Sequence, residues 1–351
     1  MDETLVKIHI LSGVPASGKS TFVKSEVNRI NNKTDGFAVY ISSDEIRSSL
    51  LEDGKIMSSK DEGWKSLNNK VFEKMFNAVI ESILSNYNSK EINLTDVFYD
   101  STNLSLKFRK QLFERFKARL NKEGVKCLIC IDVLHQPLSV LLDRNSKRSD
   151  MEKVSSDRVR EMYFSHQPPL EGVDCDVSSY HGENYFKVVN FTECYSIKDI
   201  VDSMKNSSLY EEIAPVIDMP HDCKPHHFES VSEHIDMVHN LSKKVNILIP
   251  VAFLHDLGKP VTKTFIENGK AHYRNHSNVG AMYSYICLQN NVLFSKEEKM
   301  DILKTILFHM VAHNVISEKM RVKYKISDHQ MNLLDTFSKY DSLGRITTEM
   351  Y

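Results

Sequence analysis

The chain has no charge imbalance, no long apolar run and no cysteine framework, and each absence excludes something. Its 45 Lys and Arg stand against 47 Asp and Glu, so no global field draws in a polyanion, and any nucleic-acid contact must come from a local basic cluster. No apolar run approaches the roughly 18 residues of a membrane helix, and the N-terminus lacks a basic-then-apolar signal region. A cytoplasmic protein with no membrane partner is therefore expected. Six cysteines in 351 residues, without framework spacing, are expected to be reduced and mostly packed. Cys127 and Cys130 spell C-x-x-C, but they lie in the apolar run 125–133, which reads as a strand. An offset of three there puts the two thiols on opposite faces, which excludes a redox or metal pair. A chain of this length also exceeds what one core usually supports, so two domains are expected.

What is present begins with Gly13-Val-Pro-Ala-Ser-Gly-Lys-Ser20, which fits the phosphate-cradling pattern G-x-x-x-x-G-K-[ST]. The context fits as well. Leu5, Val6, Ile8, Ile10 and Leu11 form a β-branched apolar run before it, a buried parallel strand. Ser20 to Ile30 follows as a helix with Phe22, Val23, Val27 and Ile30 on one side. Glycines let backbone N–H groups turn inward around an anion, and the helix N-terminus adds partial positive charge. Lys19 is then expected on the β- and γ-phosphates of ATP or another NTP, with Ser20 on Mg²⁺. A chance Gly-rich turn would not sit between a strand and a helix in this order.

Further along, the strand Phe37 to Ile41 ends at Ser42-Ser43-Asp44, and the strand Val97 to Tyr99 ends at Asp100-Ser-Thr-Asn103. Strand ends are where sites collect in open α/β sheets. Asp44 and Arg47, three apart at a helix start, share a face; alternatively Asp44 is only an N-cap. Trp64 to Tyr87 carries a core stripe at helical spacing. The helix Leu104 to Leu120, with Lys107, Arg109, Lys110, Arg115, Lys117 and Arg119, reads as a solvated basic face. After the strand 125–133 and a helix at 137–142 comes Arg144-Asn-Ser-Lys-Arg148, backed by a polar stretch to Ser156. This is either an ordinary charged loop or a lid whose guanidinium groups close over a transferring phosphoryl group.

Taken together, Gly13 to Thr21, Ser43-Asp44-Glu-Ile-Arg47, Asp100-Ser-Thr-Asn-Leu104 and Arg144-Asn-Ser-Lys-Arg148 resemble the phage polynucleotide 5′-kinase family, in matching order over most of residues 5–205. The resemblance implies an α/β P-loop kinase over 1–205, with a parallel sheet and a lid. Gly13, Ser17, Gly18, Lys19, Ser20, Thr21, Arg144 and Arg148 would bind the nucleotide. It further implies Asp44 as general base on a 5′-hydroxyl, Arg47 on the acceptor's neighbouring phosphate, Arg148 on the donor phosphates and Asp100 as a second active-site carboxylate. The phosphatase that follows in the phage enzyme, marked by D-x-D-G-T, has no counterpart: Asp174-Cys-Asp176 is followed by Val177-Ser178. Phe186 to Asn190 reads as a last kinase strand, Ile197 to Met204 as a closing helix and 206–225 as a linker.

Eleven of the 15 histidines lie beyond residue 220, and metal is the first thing this suggests. Helical stretches at 231–245 and 247–257, a small hairpin around Asn268-Gly269, and later helices carry His234, His255-Asp256, His276, His309, His313 and Asp341. The segments His226-His-Phe-Glu-Ser-Val-Ser-Glu-His234, Leu254-His-Asp-Leu-Gly-Lys-Pro260 and His276-Ser-Asn-Val-Gly280 resemble the HD metal-dependent phosphohydrolases, in particular the domain attached to bacterial tRNA nucleotidyltransferases. This implies an all-α domain at 226–351. His234, His255, Asp256 and Asp341 would hold one divalent ion, and His276 and His309 a second across Asp256. The donor set suits Mn, Fe, Co, Ni or Zn. The family often has Glu where this chain has Ser277. His313, one turn from His309, is the alternative ligand, with His309 preferred. Lys259 either stabilises phosphate charge or is an ordinary helix-end lysine.

The two resemblances together imply a two-headed RNA (or DNA) end-healing enzyme, phosphorylating 5′-hydroxyls and hydrolysing 2′,3′-cyclic phosphate or 3′-phosphate ends, with an RNA ligase acting downstream. The alternatives are a nucleoside or nucleotide kinase fused to a nucleotidase, and an NTP-gated nucleotide sensor.

Overall fold

A computed structural model of the chain describes residues 6–32, 36–51, 61–89, 94–149, 152–182, 188–224, 227–267 and 269–346. The chain divides into two compact units, one comprising 1–159 with 174–181, the other 160–173 with 182–351.

In the first unit the elements alternate: β1 (Val6–Ser12), α1 (Lys19–Asn31), β2 (Phe37–Ser42), α2 (Ser43–Leu50), α3 (Trp64–Ser89), β3 (Leu94–Asp100), α4 (Leu106–Lys122), β4 (Cys127–Val133) and α5 (Leu138–Ser146); α6 (Ser156–Ser165) crosses the division, and β5 (Val177–Tyr180) completes the sheet. All the pairings are parallel, in the order β2-β3-β1-β4-β5. Parallel strands are covered on both faces, and Ile8, Ile10, Val97, Tyr99, Ile129 and Ile131 are accordingly buried on one face and Leu11 and Phe98 on the other. Leu11, Val23, Ile30, Ala38 and Phe98 form the cluster that seats α1 on the sheet. The parallel arrangement puts Ser12, Ser42 and Asp100 at one edge, with Ser42 beside Asp100 in register.

Two expectations are corrected here. The fifth strand is Val177–Tyr180, not 186–190; Phe186 and Lys187 lie outside the described residues, and Val188 to Asn190 form no strand. The sequence Val-Ser-Ser-Tyr lacks an apolar run because β5 is an edge strand with one neighbour, β4. Nor is α4 a wholly solvated basic face. Arg109 is fully buried, donating from Nε to Asp174 at 2.7 Å and from Nη1 to the carbonyls of Asn103 and Leu104. Asp176 takes the Ile129 N–H and pairs with Lys117, so the D-x-D segment is structural.

The second unit is helical. Its elements are α7 (Ile197–Ser203), α8 (Tyr210–Ile213), α9 (Val231–Ser242), α10 (Leu248–Leu254), α11 (Lys259–Thr262), the hairpin β6 (Thr264–Phe265) and β7 (Ala271–His272), then α12 (His276–Leu288), α13 (Lys296–Ala312), α14 (Glu318–Tyr324) and α15 (Asp328–Leu343). Residues 206–225 bury Leu209, Ile213 and Val216. α9, α13 and α14 open on serine caps, two of them capping boxes closed by Glu233 and Glu298, which satisfy the first N–H groups of each helix. Helix α10 is buried along its whole length and α12 nearly so; α9, α13 and α15 pack around them.

Candidate functional sites

In the first unit the chain turns between β1 and α1 through left-handed backbone at Ala16 (φ 66°) and Gly18 (φ 97°), a conformation glycine adopts without a Cβ penalty. No side chain caps α1, so its first N–H groups are left for an anion. Lys19 lies across this loop, its Nζ donating to the carbonyls of Gly13 (2.8 Å) and Val14 (3.1 Å). Burial lowers its pKa, opposed by the charges of Asp100 and Asp44; Arg148 lowers it further, which places that guanidinium within electrostatic reach of the lysine. The Ser17 hydroxyl is buried in the loop with no partner. Ser20 and Thr21 are exposed at the start of α1.

The buried Asp100 carboxylate stands at the loop, its Oδ2 accepting from Tyr40 Oη (2.8 Å) and Ser20 Oγ (3.3 Å). Burial raises its pKa, with Lys19 opposing. A serine hydroxyl and a carboxylate converging beside a phosphate loop form the hard oxygen set that Mg²⁺ takes. Asp44 is not the cap of α2: that is Ser42, whose Oγ accepts from the N–H groups of Asp44 and Glu45. The Asp44 side chain is instead 81% exposed and bonded to Arg47 Nη1 at 2.6 Å. Arg47 is held by Asn68 (3.1 Å) and lies over the Trp64 ring. Arg144 and Arg148 sit at the end of α5 and just beyond it. The buried Asn145 between them ties to both the carbonyl and the N–H of Val154. Tyr40, Trp64 and Asn68 went unnoticed in the sequence; the period-two alternation of β2, counted back from Ser42, places Tyr40 on the same face.

The second unit gathers His234 from α9, His255 and Asp256 from the turn after α10, His276 from the start of α12, His309 from α13 and Asp341 from α15, all buried. The HD turn and α12 meet at two glycines. A Cβ at Gly258 would lie 2.2 Å from the His276 carbonyl oxygen, and one at Gly280 would lie 2.9 Å from that of His255. All four imidazoles are set the same way: Nδ1 faces the carbonyl of Gly344, Ala252, Tyr273 and Ile306 respectively, at 2.7 to 2.9 Å. Donation from Nδ1 leaves Nε2 with its lone pair directed inward, as a metal-ligating histidine requires. For His276 the Tyr273 carbonyl does the orienting, so Ser277 is not needed for it.

The inward atoms form two groups, His234 with His255 and Asp341, and Asp256 with His276 and His309. Asp256 Oδ2 is 3.2 Å from His255 Nε2, and its Oδ1 is 3.4 Å from His276 Nε2. Nε2 of His276 and of His309 face each other at 3.2 Å, two lone pairs with no proton to share, an arrangement a cation between them relieves. His255 Nε2 is likewise buried without a hydrogen bond, and Asp256 Oδ2 is engaged by the charge of Lys259. Burial presses the His309 pKa down to about 3 and lowers that of His276, keeping both neutral, as ligation demands. The residues therefore fit one or two divalent ions. His313 does not face His276; it donates to Asp341 Oδ2 at 2.7 Å and so orients that carboxylate. Lys259 is buried, 2.7 Å from Asp256 Oδ2. The cluster opens on a cavity of about 590 Å³, also lined by Ile266, Tyr273, Met310 and Arg345. Beside this cluster lie His221, passed over in the sequence, and His227 and Glu229, quoted there in a motif without a role.

A parallel sheet in this strand order, with a glycine loop between β1 and α1 and a carboxylate at the end of β3, defines a P-loop nucleotide-binding domain of the kinase type. A family model described as AAA domain matches residues 8–169, the part of the chain that carries the loop, both carboxylates and the arginines; these residues are a P-loop kinase-like domain. No curated protein matches the chain.

Proposed function

We propose that the chain is a nucleic-acid end-healing enzyme, with a polynucleotide 5′-hydroxyl kinase over 1–205 and an HD-type phosphohydrolase over 226–351 acting on 2′,3′-cyclic phosphate or 3′-phosphate ends. One observation carries the reading: a phosphate loop with an exposed carboxylate beside it shares a chain with four buried histidines whose Nε2 atoms all point inward. RNA cleaved without a metal leaves a 5′-hydroxyl and a cyclic phosphate, so the two chemistries repair the two sides of one break.

On the kinase side, Lys19 leaves the Gly13 and Val14 carbonyls for the β- and γ-phosphates of ATP, and Ser20 with Asp100 would hold Mg²⁺. Asp44 takes the proton of the 5′-hydroxyl as its oxygen attacks the γ-phosphorus. Arg47, which contacts Asp44 and rests on Trp64 and Asn68, holds the acceptor's phosphate, while Arg144 and Arg148 reach the donor phosphates as the lid closes. On the phosphohydrolase side, His234, His255, Asp256 and Asp341 would hold one divalent ion and His276 with His309 a second, sharing Asp256. Such ions, when bound, polarise a phosphoryl oxygen and activate water. The chain's own contribution is to orient the imidazoles through backbone carbonyls, to fix Asp341 through His313, and to place the Lys259 ammonium where phosphate charge develops. RNA or DNA ends are the substrates, with a ligase acting on the healed termini.

The test is to give the purified full chain an oligonucleotide with a 5′-hydroxyl and ATP, and separately one ending in a 2′,3′-cyclic phosphate with Mn²⁺, Co²⁺, Ni²⁺ or Mg²⁺. Phosphate transfer to the first and ring opening of the second are expected. Turnover of free nucleosides and nucleotides alone would replace this reading with a nucleotide kinase fused to a nucleotidase. Nucleotide binding with no turnover would leave a sensor.

A further inference from the structure

Beside the metal-ligand cluster, His221 and the half-buried His227 line the same cavity, and the buried Glu229 is bonded to His227. They are close enough to one another to be mistaken for a third metal site, but both oxygens of Glu229 and Nε2 of His221 already have partners. His227 directs Nδ1 to Glu229 Oε1 at 2.5 Å, a hydrogen bond with no room for an ion, and Glu229 Oε2 already accepts the N–H groups of Phe228 (3.0 Å) and Ile346 (2.9 Å). His221 directs Nδ1 to the Glu229 carbonyl at 3.1 Å and stacks on His227 with ring centroids 4.0 Å apart. With its proton on Nδ1, His221 has one acceptor left, Nε2, and that atom faces Lys259 Nζ at 2.8 Å.

We propose that Glu229, His227 and His221 form a frame that aims the Lys259 ammonium into the cavity as a phosphate-binding cation; this rests on the phosphohydrolase reading. An ammonium has three donors. One goes to Asp256 Oδ2 and one to His221 Nε2, which leaves the third for a ligand above the Tyr273 ring, whose centroid is 5.4 Å from Nζ. Without the acceptor on His221, Asp256 would be the ammonium's sole anchor, and Lys259 would settle onto the one carboxylate that both ligand groups flank. His221 is thus a positioning residue, acting through Lys259. Its tautomer is set by the Glu229 carbonyl, and its ring plane by the stack on His227.

The experiment titrates inorganic orthophosphate into the manganese-loaded full chain by calorimetry and counts bound manganese, for wild type, His221→Phe, His221→Gln, Lys259→Met and the His221→Phe/Lys259→Met double variant. Phe keeps the stack and removes the acceptor; Gln restores an acceptor. A hydrogen bond to a charged group supports an expected loss of roughly tenfold in phosphate affinity for His221→Phe, with most of it recovered in His221→Gln. Manganese content should stay unchanged, and His221→Phe should cause no further loss once Lys259 is Met. The proposal is overturned if wild type binds no phosphate, if His221→Phe binds it like wild type, if its loss persists in the Lys259→Met background, or if it sheds one manganese. Phosphate binding that follows this pattern in a protein that hydrolyses no ester would leave the frame standing and remove the phosphohydrolase reading.

Discussion

Asp44 is the residue at which the kinase reading is most exposed to test. Its side chain is largely in solvent and its partner is Arg47, so removing it breaks an exposed pair of small stabilising value and leaves the Ser42 cap intact. Asp44→Ala is expected to unfold at the wild-type temperature while its rate of 5′-hydroxyl phosphorylation falls by about 10²- to 10⁴-fold, the usual worth of a general base. A rate within a few-fold of wild type in a single-turnover assay would remove it from the chemistry. A second residue-scale prediction concerns His9, at the centre of β1, which bridges Asp132 (2.7 Å) and Asp96 (2.9 Å), with His181 on the far oxygen of Asp132. Burial opposes the charge on His9, but the bonds to Asp132 and Asp96 outweigh it and raise its pKa from 6.5 to about 9. Burial would likewise raise Asp132, yet the bonds from His181 and His9 hold it at about 2. A raised histidine contributes its stabilisation fully below pH 6.5 and loses it as pH rises through 9; the depressed carboxylate contributes above pH 3.8 and loses it as pH falls through 2. The difference in Tm between wild type and His9→Gln should therefore be widest near pH 5 to 6 and shrink toward pH 9. A difference independent of pH would assign it to the ring stack on Phe98 instead.

At the scale of elements, the turn carrying His255 and Asp256 comes close to α12 at Gly258 and Gly280. Gly258 permits it, because a Cβ there meets carbonyl and amide atoms of α12 rather than a flexible side-chain end. Gly258→Ala is expected to cost roughly 1–3 kcal/mol, the range for overpacking, and to pull His255 and Asp256 away from His276. Equilibrium unfolding and manganese binding check it: weakened metal binding together with lowered stability is the expected pair, and unchanged metal affinity would mean the turn and α12 do not need this contact to meet. The same scale explains what α4 does for the phosphate loop. Arg109 holds the carbonyls of Asn103 and Leu104, Asn103 donates to the Leu11 carbonyl, and Thr102 accepts the Gly13 N–H, so the chain after β3 is laced to the end of β1, where the loop begins.

For the whole molecule, the two sets of site residues do not interleave along the chain and lie in different units. Asp256→Ala removes the one carboxylate flanked by both ligand groups. It is expected to abolish opening of a 2′,3′-cyclic phosphate while the kinase rate, with Mg²⁺ present, stays within a few-fold of wild type. EDTA added ahead of the cyclic-phosphate substrate should do the same. Ring opening that survives either treatment would sink the two-ion arrangement.

The sequence by itself determined the features whose physics is local. A glycine loop between a strand and a helix makes its anion site from adjacent backbone, so Gly13 to Ser20 is legible without the rest of the fold, and the order and type of the histidine-bearing helices could likewise be read from capping and periodicity. Tertiary structure decided everything that depends on which distant groups meet. Asp44 could be read on paper as the cap of its helix, and only the backbone of α2 shows that Ser42 takes the N–H groups. His309 and His313 lie one turn apart, and only the packing of α13 on α12 and α15 turns the first toward His276 and the second toward Asp341. Arg109 looked like one more surface cation until Asp174 and two carbonyls met it in the interior, and β5 carried no apolar signal because an edge strand needs little. His221 drew no notice, and His227 and Glu229 entered only as letters of a motif with no role, because a hydrogen bond or an electrostatic contact across a cavity depends on distance in space, and spacing along the chain records that distance only within a single helix, strand or turn.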